Sequence, residues 1–518
     1  MPDKAPNILF IQADQMAAAA LPAYGHPVVK APHIDRLAER GVVFDSAYCN
    51  SPLCAPSRFS MLSGLLPSAI EAYDNAAEFP AAVPTFAHHL RLMGYRTLLS
   101  GKMHFVGPDQ LHGFERRLTT DIYPADFGWT PDWERPGEHQ DYFHTMLSVV
   151  QAGVCARSLQ LDFDEETAFE AERALYELAR EEDQRPFFLL VSFTHPHDPY
   201  TITPPFWERY REDEIDPPRV PAIPYAEQDP HSQRIYRCIG RDRYDLNDER
   251  VRNARRAYYG AISYVDDKVG QLLAALEATG QAEDTIIVFT ADHGDMLGER
   301  GLWYKMHFFE GAARVPLIVH APGRFQPRRV SRNVSLADLY PTLVGLAGDA
   351  APESAEPLEG RSLVPLIEGG ADAGADRVLG EYLGEAAAGP LVMVREGRHK
   401  YIVGEGSPAQ LFDLEADPLE LDNLSGRPEA AGLEQGLADF VAARWDFATL
   451  KRRVILSQRR RRLAFGALGQ GRHTPWDFQP ERDAAQLYAR NLGVALGDLE
   501  GRARLPFVAE PPPDGPEA

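Results

Sequence analysis

Three short stretches of this chain, Asn7-Ile8-Leu9-Phe10-Ile11-Gln12-Ala13, Phe187-Phe188-Leu189-Leu190-Val191-Ser192-Phe193 and Thr285-Ile286-Ile287-Val288-Phe289-Thr290, are apolar almost throughout and show no alternation. A strand that reads this way is covered on both faces, as happens when helices pack on either side of a parallel sheet. Helical stretches lie between them, at Ala31–Arg40, Pro84–Met93, Asp164–Glu182 and Glu249–Leu276, and Tyr95–Leu99 and Val315–Val319 read as further strands. The alternation predicts an α/β fold built on a large, mostly parallel sheet sandwiched by helices.

Past the Gly-rich stretch 369–374 the pattern changes. Leu391–Arg395 and His399–Val403 bracket Glu396-Gly397 as a hairpin, Gln410–Leu414 adds a strand, and Glu429–Asp446 reads as a helix. A smaller C-terminal antiparallel sheet plus helix is therefore expected, giving a catalytic α/β domain over 1–370, a small subdomain over 371–450 and a tail over 451–518. The tail carries the Arg-rich segment Arg459–Arg462, then His473-Thr474-Pro475-Trp476, and a Pro-rich end at 511–513 for which disorder is expected.

In a sheet of this kind ligands bind beyond the carboxyl ends of the strands. Those ends carry Asp14, the pair Lys102 and His104, the histidines His195 and His197, and Asp292-His293. Separately, Cys54-Ala55-Pro56-Ser57-Arg58 reads as a tight turn leading into a helix over Arg58–Ser63, where backbone N–H groups favour an anion or a nucleophile. Carboxylates suit a hard divalent ion, and the lysines and arginine suit the non-bridging oxygens of a sulfuryl or phosphoryl group.

The stretch 119–143 is rich in aromatics, with Tyr123, Phe127, Trp129, Trp133, Tyr142 and Phe143 among Asp121, Asp126 and Asp132, and no period; it is expected to be a long ordered loop suited to a quaternary ammonium. A formal charge of −23 argues against nucleic acid. No apolar run approaches a bilayer's thickness, and the start leads straight into a strand without a signal-peptide hydrophobic region, so no membrane partner and a cytoplasmic location are expected. Four cysteines (Cys49, Cys54, Cys155, Cys238) make neither a disulfide framework nor a zinc site.

Taken together, Asp14, the Cys-x-Pro-Ser-Arg at Cys54, Gly-Lys-x-His at Lys102, His-x-Pro at His197, Asp-His-Gly at Asp292 and Lys305 resemble the motifs of the sulfatase family in the alkaline phosphatase superfamily, in that family's order. Stretches such as 73–78, 104–115, 194–200 and 229–234 resemble its bacterial choline-sulfatase branch more narrowly. The resemblance implies that a maturation enzyme oxidises Cys54 to formylglycine (3-oxoalanine), whose hydrate attacks sulfur. It implies one divalent ion, calcium in most of the family with manganese or magnesium as alternatives, held by Asp14, Cys54, Asp292 and His293. Gln15 stands where many members have a second acid, and its ligation stays open.

By the same resemblance Arg58 would hold the hydrate, Lys102 and Lys305 the sulfate oxygens, His197 rather than His195 would protonate the leaving oxygen, and His104 would take the proton that lets sulfate depart. Asn75, Trp129 and His144 would bind the alcohol, with Thr145 where the branch has Asn, and either Glu381 or Glu385 would complete an ammonium cage. The implied substrate is a small sulfate ester, choline sulfate first. An arylsulfatase or a phosphonate monoester or phosphodiester hydrolase on the same scaffold is the alternative, and a catalytically inactive sulfate-ester-binding protein the third. The tail around Trp476 implies a homo-oligomer, dimer or tetramer.

Overall fold

A computed structural model describes residues 5–136, 138, 144–348, 353–370, 374–473, 475–481, 490 and 505. Of the residues singled out above, Tyr142, Phe143, 371–373 of the Gly-rich stretch, Thr474 and the Pro-rich end at 511–513 lie outside the described residues. The chain's principal strands are β1 (Asn7–Asp14), β2 (Val42–Tyr48), β3 (Arg96–Gly101), β4 (Phe187–Pro196), β5 (Thr285–Ala291), β6 (Leu317–His320) and β7 (Arg328–Ser335). They form one sheet in the order β7-β2-β6-β5-β1-β4-β3, with short strands Arg116–Arg117 beside β3 and Arg314–Val315 beside β2.

The three apolar runs lie side by side in the centre: β1 pairs in parallel with β4 and with β5, so Ile8 sits between Phe188 and Ile286. All residues of these strands are buried, which is why they lack alternation. Only β6 runs antiparallel to both of its neighbours. Helices Leu159–Arg180 and Asp248–Ala278 pack on β4 and on each other, while helices Cys54–Ser63, Phe86–Leu92 and Leu339–Ala347 form a second packed group. Because β1, β4 and β5 run in one direction, their carboxyl ends deliver Asp14, the His195–His197 segment and Asp292 to the same edge.

The smaller sheet is antiparallel, β8 (Arg377–Tyr382), β9 (Leu391–Glu396), β10 (His399–Gly404) and β11 (Ser407–Asp413) in sequential order, followed by helix Ala431–Arg444. Among the described residues no helix is long and apolar enough to cross a membrane.

Several expectations need correction. The Cys54 helix spans Cys54–Ser63, so the cysteine is its first residue and not part of a turn preceding a helix that begins at Arg58. The expected strand 315–319 is split, with Arg314–Val315 on β2 and Leu317–His320 between β2 and β5. The helix expected from Pro84 starts at Phe86, because the Thr85 side chain accepts from the His88 N–H and caps it. Strands β7 and β8 and a 22-residue helix, Phe447–Leu468, were not expected.

Candidate active site

Asp14 is the last residue of β1, Asp292-His293 directly follow β5, and Cys54 opens its helix between them. One donor atom from each of Asp14, Cys54, Asp292 and His293 falls within 4.8 Å of the others, and all four residues are buried. Cys54 Sγ lies 3.2 Å from His293 Nε2 and 3.9 Å from Asp14 Oδ1. His293 Nδ1 donates to the Gly294 carbonyl at 3.0 Å, which leaves the Nε2 lone pair facing the carboxylates. Two carboxylates and an imidazole lone pair converging on one point are a donor set that fits a divalent cation.

The carboxylates are held from behind by Arg58, one turn into the helix. Its Nε donates to Asp292 Oδ2 at 2.9 Å and Nη2 to Asp14 Oδ2 at 2.8 Å, while Nη1 is taken by the Lys102 carbonyl at 2.6 Å and Ser192 Oγ at 2.8 Å. Arg58 thus faces the two acids in this structure. Lys102 Nζ lies 2.5 Å from Asp14 Oδ2, as an ion pair, and over the Tyr123 ring at 4.2 Å. Burial opposes ionisation of Asp14, but Lys102, His197, Arg58 and His293 outweigh it and hold this carboxyl well below the usual range. Burial and the Asp14 charge push the Cys54 thiol up to about 11, so at neutral pH the unmodified sulfur keeps its proton and is a poor nucleophile.

Across the site, Lys305 Nζ donates to Gln15 Oε1 at 2.6 Å and meets His197 Nε2 at 2.8 Å. His197 Nδ1 donates to the Asp198 carbonyl at 2.6 Å, which fixes the ring so that Nε2 faces Lys305. Burial, then Lys305, holds His197 well below the usual imidazole range. Gln15 uses its carboxamide N–H on Asp295 Oδ2 at 2.6 Å, and its oxygen is committed to Lys305. His144, His197 and Asp198 also bring three donor atoms within 4.8 Å. Both ring nitrogens of His197 already have partners there, so this second group reads as a proton-holding array.

His104 is 1% exposed, left-handed at φ 60°, and has no partner at either ring nitrogen. Burial and then Lys102 lower it to about 3, so it is a neutral imidazole packed edge-on to Trp129. Its backbone N–H and that of Met103 are held by Asp121, which is paired in turn with Arg117. His195, by contrast, is turned away: Asp164 accepts from its Nδ1 at 2.7 Å and its ring packs on Tyr264, outside the cavity described next.

That cavity, of about 230 Å³, runs outward from Cys54 and His197. Asn75, Tyr123, Trp129, His144, Thr145 and Glu385 line it. Asn75 Oδ1 accepts from the Ala55 N–H at 3.0 Å, capping the Cys54 helix with a side chain from elsewhere in the chain. His144 Nδ1 bonds Asp198 and the ring stacks on Tyr304 at 4.6 Å; the Thr145 carbonyl accepts from the Tyr304 hydroxyl. The two glutamates separate. Glu381 accepts from Ser68 and from Trp445 Nε1 at 2.6 Å and does not line the cavity. Glu385 lines it, its Oε2 has no partner, and burial followed by the Asp74 charge pushes it up to about 7. Tyr123 and Glu385 are among the wall residues that sequence reasoning did not fix. Tyr123 was one ring among many in the aromatic loop, and no local pattern distinguishes Glu385 from Glu381.

Comparison with known proteins agrees with this geometry. The sulfatase family profile matches residues 6–349, a profile described as the C terminal of choline sulfatase enzyme matches 452–505, and one described as the C-terminal part of N-sulphoglucosamine sulphohydrolase matches 298–444. A choline-sulfatase of Rhizobium meliloti (strain 1021) is 49% identical over 508 residues, 97% of this chain and 98% of that protein. An arylsulfatase of Clostridium perfringens (strain 13 / Type A) is 28% identical over 448 residues, 82% of this chain and 91% of its own. Among solved structures, the phosphonate monoester hydrolase of Agrobacterium radiobacter superposes with a TM-score of 0.68 at 27% identity, covering 85% of this chain and 95% of its own.

Proposed function

The chain belongs to the sulfatase family and is a sulfuric ester hydrolase, and from that premise we propose that it cleaves choline sulfate to choline and sulfate. The observation that carries the choice of alcohol is Glu385: a buried carboxylate oxygen without a partner, in the same cavity as the Trp129 face and open to Cys54. A trimethylammonium group satisfies both an aromatic face and an unpaired anion, which an aryl ring does not. The reported choline-sulfatase relative, alike over nearly the whole chain, supports the same substrate.

Asp14, Asp292 and His293, with residue 54, would hold one divalent ion, and we favour calcium because the carboxylate oxygens are hard donors. When present, the ion and a formylglycine made from Cys54 supply charge neutralisation at the sulfuryl oxygens and a hydrated aldehyde as the nucleophile. Arg58 fixes both carboxylates in register and so sets where the ester sulfur must sit. Lys102 Nζ, beside Asp14, and Lys305 Nζ bind the non-bridging oxygens. The proton that the departing choline oxygen needs is held between Lys305 Nζ and His197 Nε2. His104, neutral and unpartnered, takes a proton at a ring nitrogen as sulfate leaves. At the far end Trp129, Tyr123 and Glu385 enclose the ammonium and keep water from it.

A formylglycine-generating maturation enzyme, a cytoplasmic location and a dimer or tetramer complete this reading. Mass spectrometry of the peptide containing residue 54, with turnover of choline sulfate against nitrophenyl sulfate and a phenyl phosphonate, tests it. We expect an aldehyde at residue 54, a large preference for choline sulfate, and no turnover in Cys54→Ala. An unmodified thiol in fully active protein, or a preference for either aryl ester, would sink it.

A further inference from the structure

The helix Phe447–Leu468 presents an inner face of Leu450, Val454, Gln458 and Arg461, all buried. A buried glutamine and a buried arginine on a helix's inner face need partners, and both find them in the chain segments that carry the walls of the substrate cavity. Arg461 grips Asp74 with two parallel bonds, Nη1 to Oδ1 and Nη2 to Oδ2, each 2.7 Å. Its Nη1 also donates to Thr130 Oγ1 at 3.2 Å. Asp74 precedes Asn75 and Thr130 follows Trp129, so one guanidinium ties together the two chain segments that supply these walls. One turn earlier, Gln458 Oε1 accepts from the Trp133 N–H at 3.0 Å, and Trp133 Nε1 donates to the carbonyl of Gly384, the residue before Glu385.

We propose that Arg461 is a positioning residue for substrate specificity: by clamping Asp74 and Thr130 it fixes Asn75 relative to Trp129 and so shapes the alcohol end of the site without touching the substrate. The proposal rests on the assignment of that cavity to the alcohol. A planar fork suits this position, because a guanidinium reaches both carboxylate oxygens and the hydroxyl in one fixed geometry, whereas an ammonium is a point charge without that fork. The guanidinium also neutralises a buried anion beside the cavity.

The test uses the matured, metal-loaded full chain and reads KM for choline sulfate beside the inhibition constant of inorganic sulfate, which occupies only the sulfuryl end. Arg461→Gln is expected to raise KM by about tenfold or more, while sulfate inhibition stays within about twofold. Arg461→Lys should recover part of the loss, and Asp74→Asn should reproduce part of it, so the reading survives a failure of Arg461→Gln to fold. An unchanged KM overturns the proposal, as does a KM that moves in step with sulfate inhibition and melting temperature, because that is a general loosening. Trp129→Ala separates the two levels: no rise in KM there defeats the cavity assignment itself, whereas a rise there with no effect of the Arg461 variants defeats only the role of Arg461.

Discussion

Lys305 Nζ and His197 Nε2 stand 2.8 Å apart, and the His197 ring is oriented by its own bond to the Asp198 carbonyl, so a single proton is shared at the mouth of the sulfuryl site. Choline is a poor leaving alcohol and nitrophenol a good one, so only the first depends on that proton. We expect His197→Ala to lower kcat for choline sulfate by about 10²–10⁴ and that for nitrophenyl sulfate by much less. Equal losses on the two substrates would remove the proton-donor role.

Glu385 bears on pH. Burial, then Asp74, hold it up at about 7, with Lys305 and Arg461 acting in the opposite direction. The ionised form that attracts the ammonium is therefore populated above pH 7, and KM for choline sulfate should fall as pH rises through that value. 3,3-Dimethylbutyl sulfate, in which an uncharged tert-butyl group replaces the ammonium, should show no such inflection, and Glu385→Gln should abolish it for choline sulfate. For folding the sign is reversed: the folded chain binds this proton more tightly than the unfolded one, so this group's contribution to stability is full below the ordinary Glu range and declines toward pH 7.

Removal of the ion has its own readout. A cation that binds only the folded protein adds about 2.7 kcal/mol of stability at a hundred times its Kd, so calcium should raise the melting temperature of chelator-treated protein. Asp292→Asn should lose that rise together with the bound ion, counted by elemental analysis. A rise that persists in Asp292→Asn would place the ion elsewhere.

Gln15 gives Lys305 a neutral acceptor, at 2.6 Å, where a carboxylate would neutralise the ammonium. Gln15→Glu should lower kcat/KM for choline sulfate by about tenfold or more, by pairing with Lys305 and by placing a further anion against Asp295 and Asp198. Steady-state kinetics with unchanged kcat/KM would show that Lys305 does not meet the sulfuryl oxygens.

What the amino-acid order reveals follows from burial. β1, β4 and β5 were legible because both faces of each are covered, which leaves an unbroken apolar run. β7, Arg328–Ser335, is an edge strand with one neighbour, and its three arginines and two serines hide it. The helix Phe447–Leu468 was missed for a related reason: part of its buried face is Gln458 and Arg461, so the periodicity of apolar residues breaks where the polar contacts begin. At the site, Asp14, Cys54, Asp292 and His293 stood out by type and by place at element ends, and the chain brings them together. Glu385 could not be told from Glu381 by sequence because the difference lies in what surrounds each: Ser68 and Trp445 for one, an open cavity for the other.

Cys54 is 1% exposed and lies 3.2 Å from His293 Nε2, a side chain delivered by the segment that follows β5, far downstream in the chain. On the function proposed above, an enzyme that oxidises this thiol would have to reach it before the segment that follows β5 closes over it, while the polypeptide is still open. On that reading a molecule that folded first would keep its cysteine reduced, and its competence would be decided during biosynthesis.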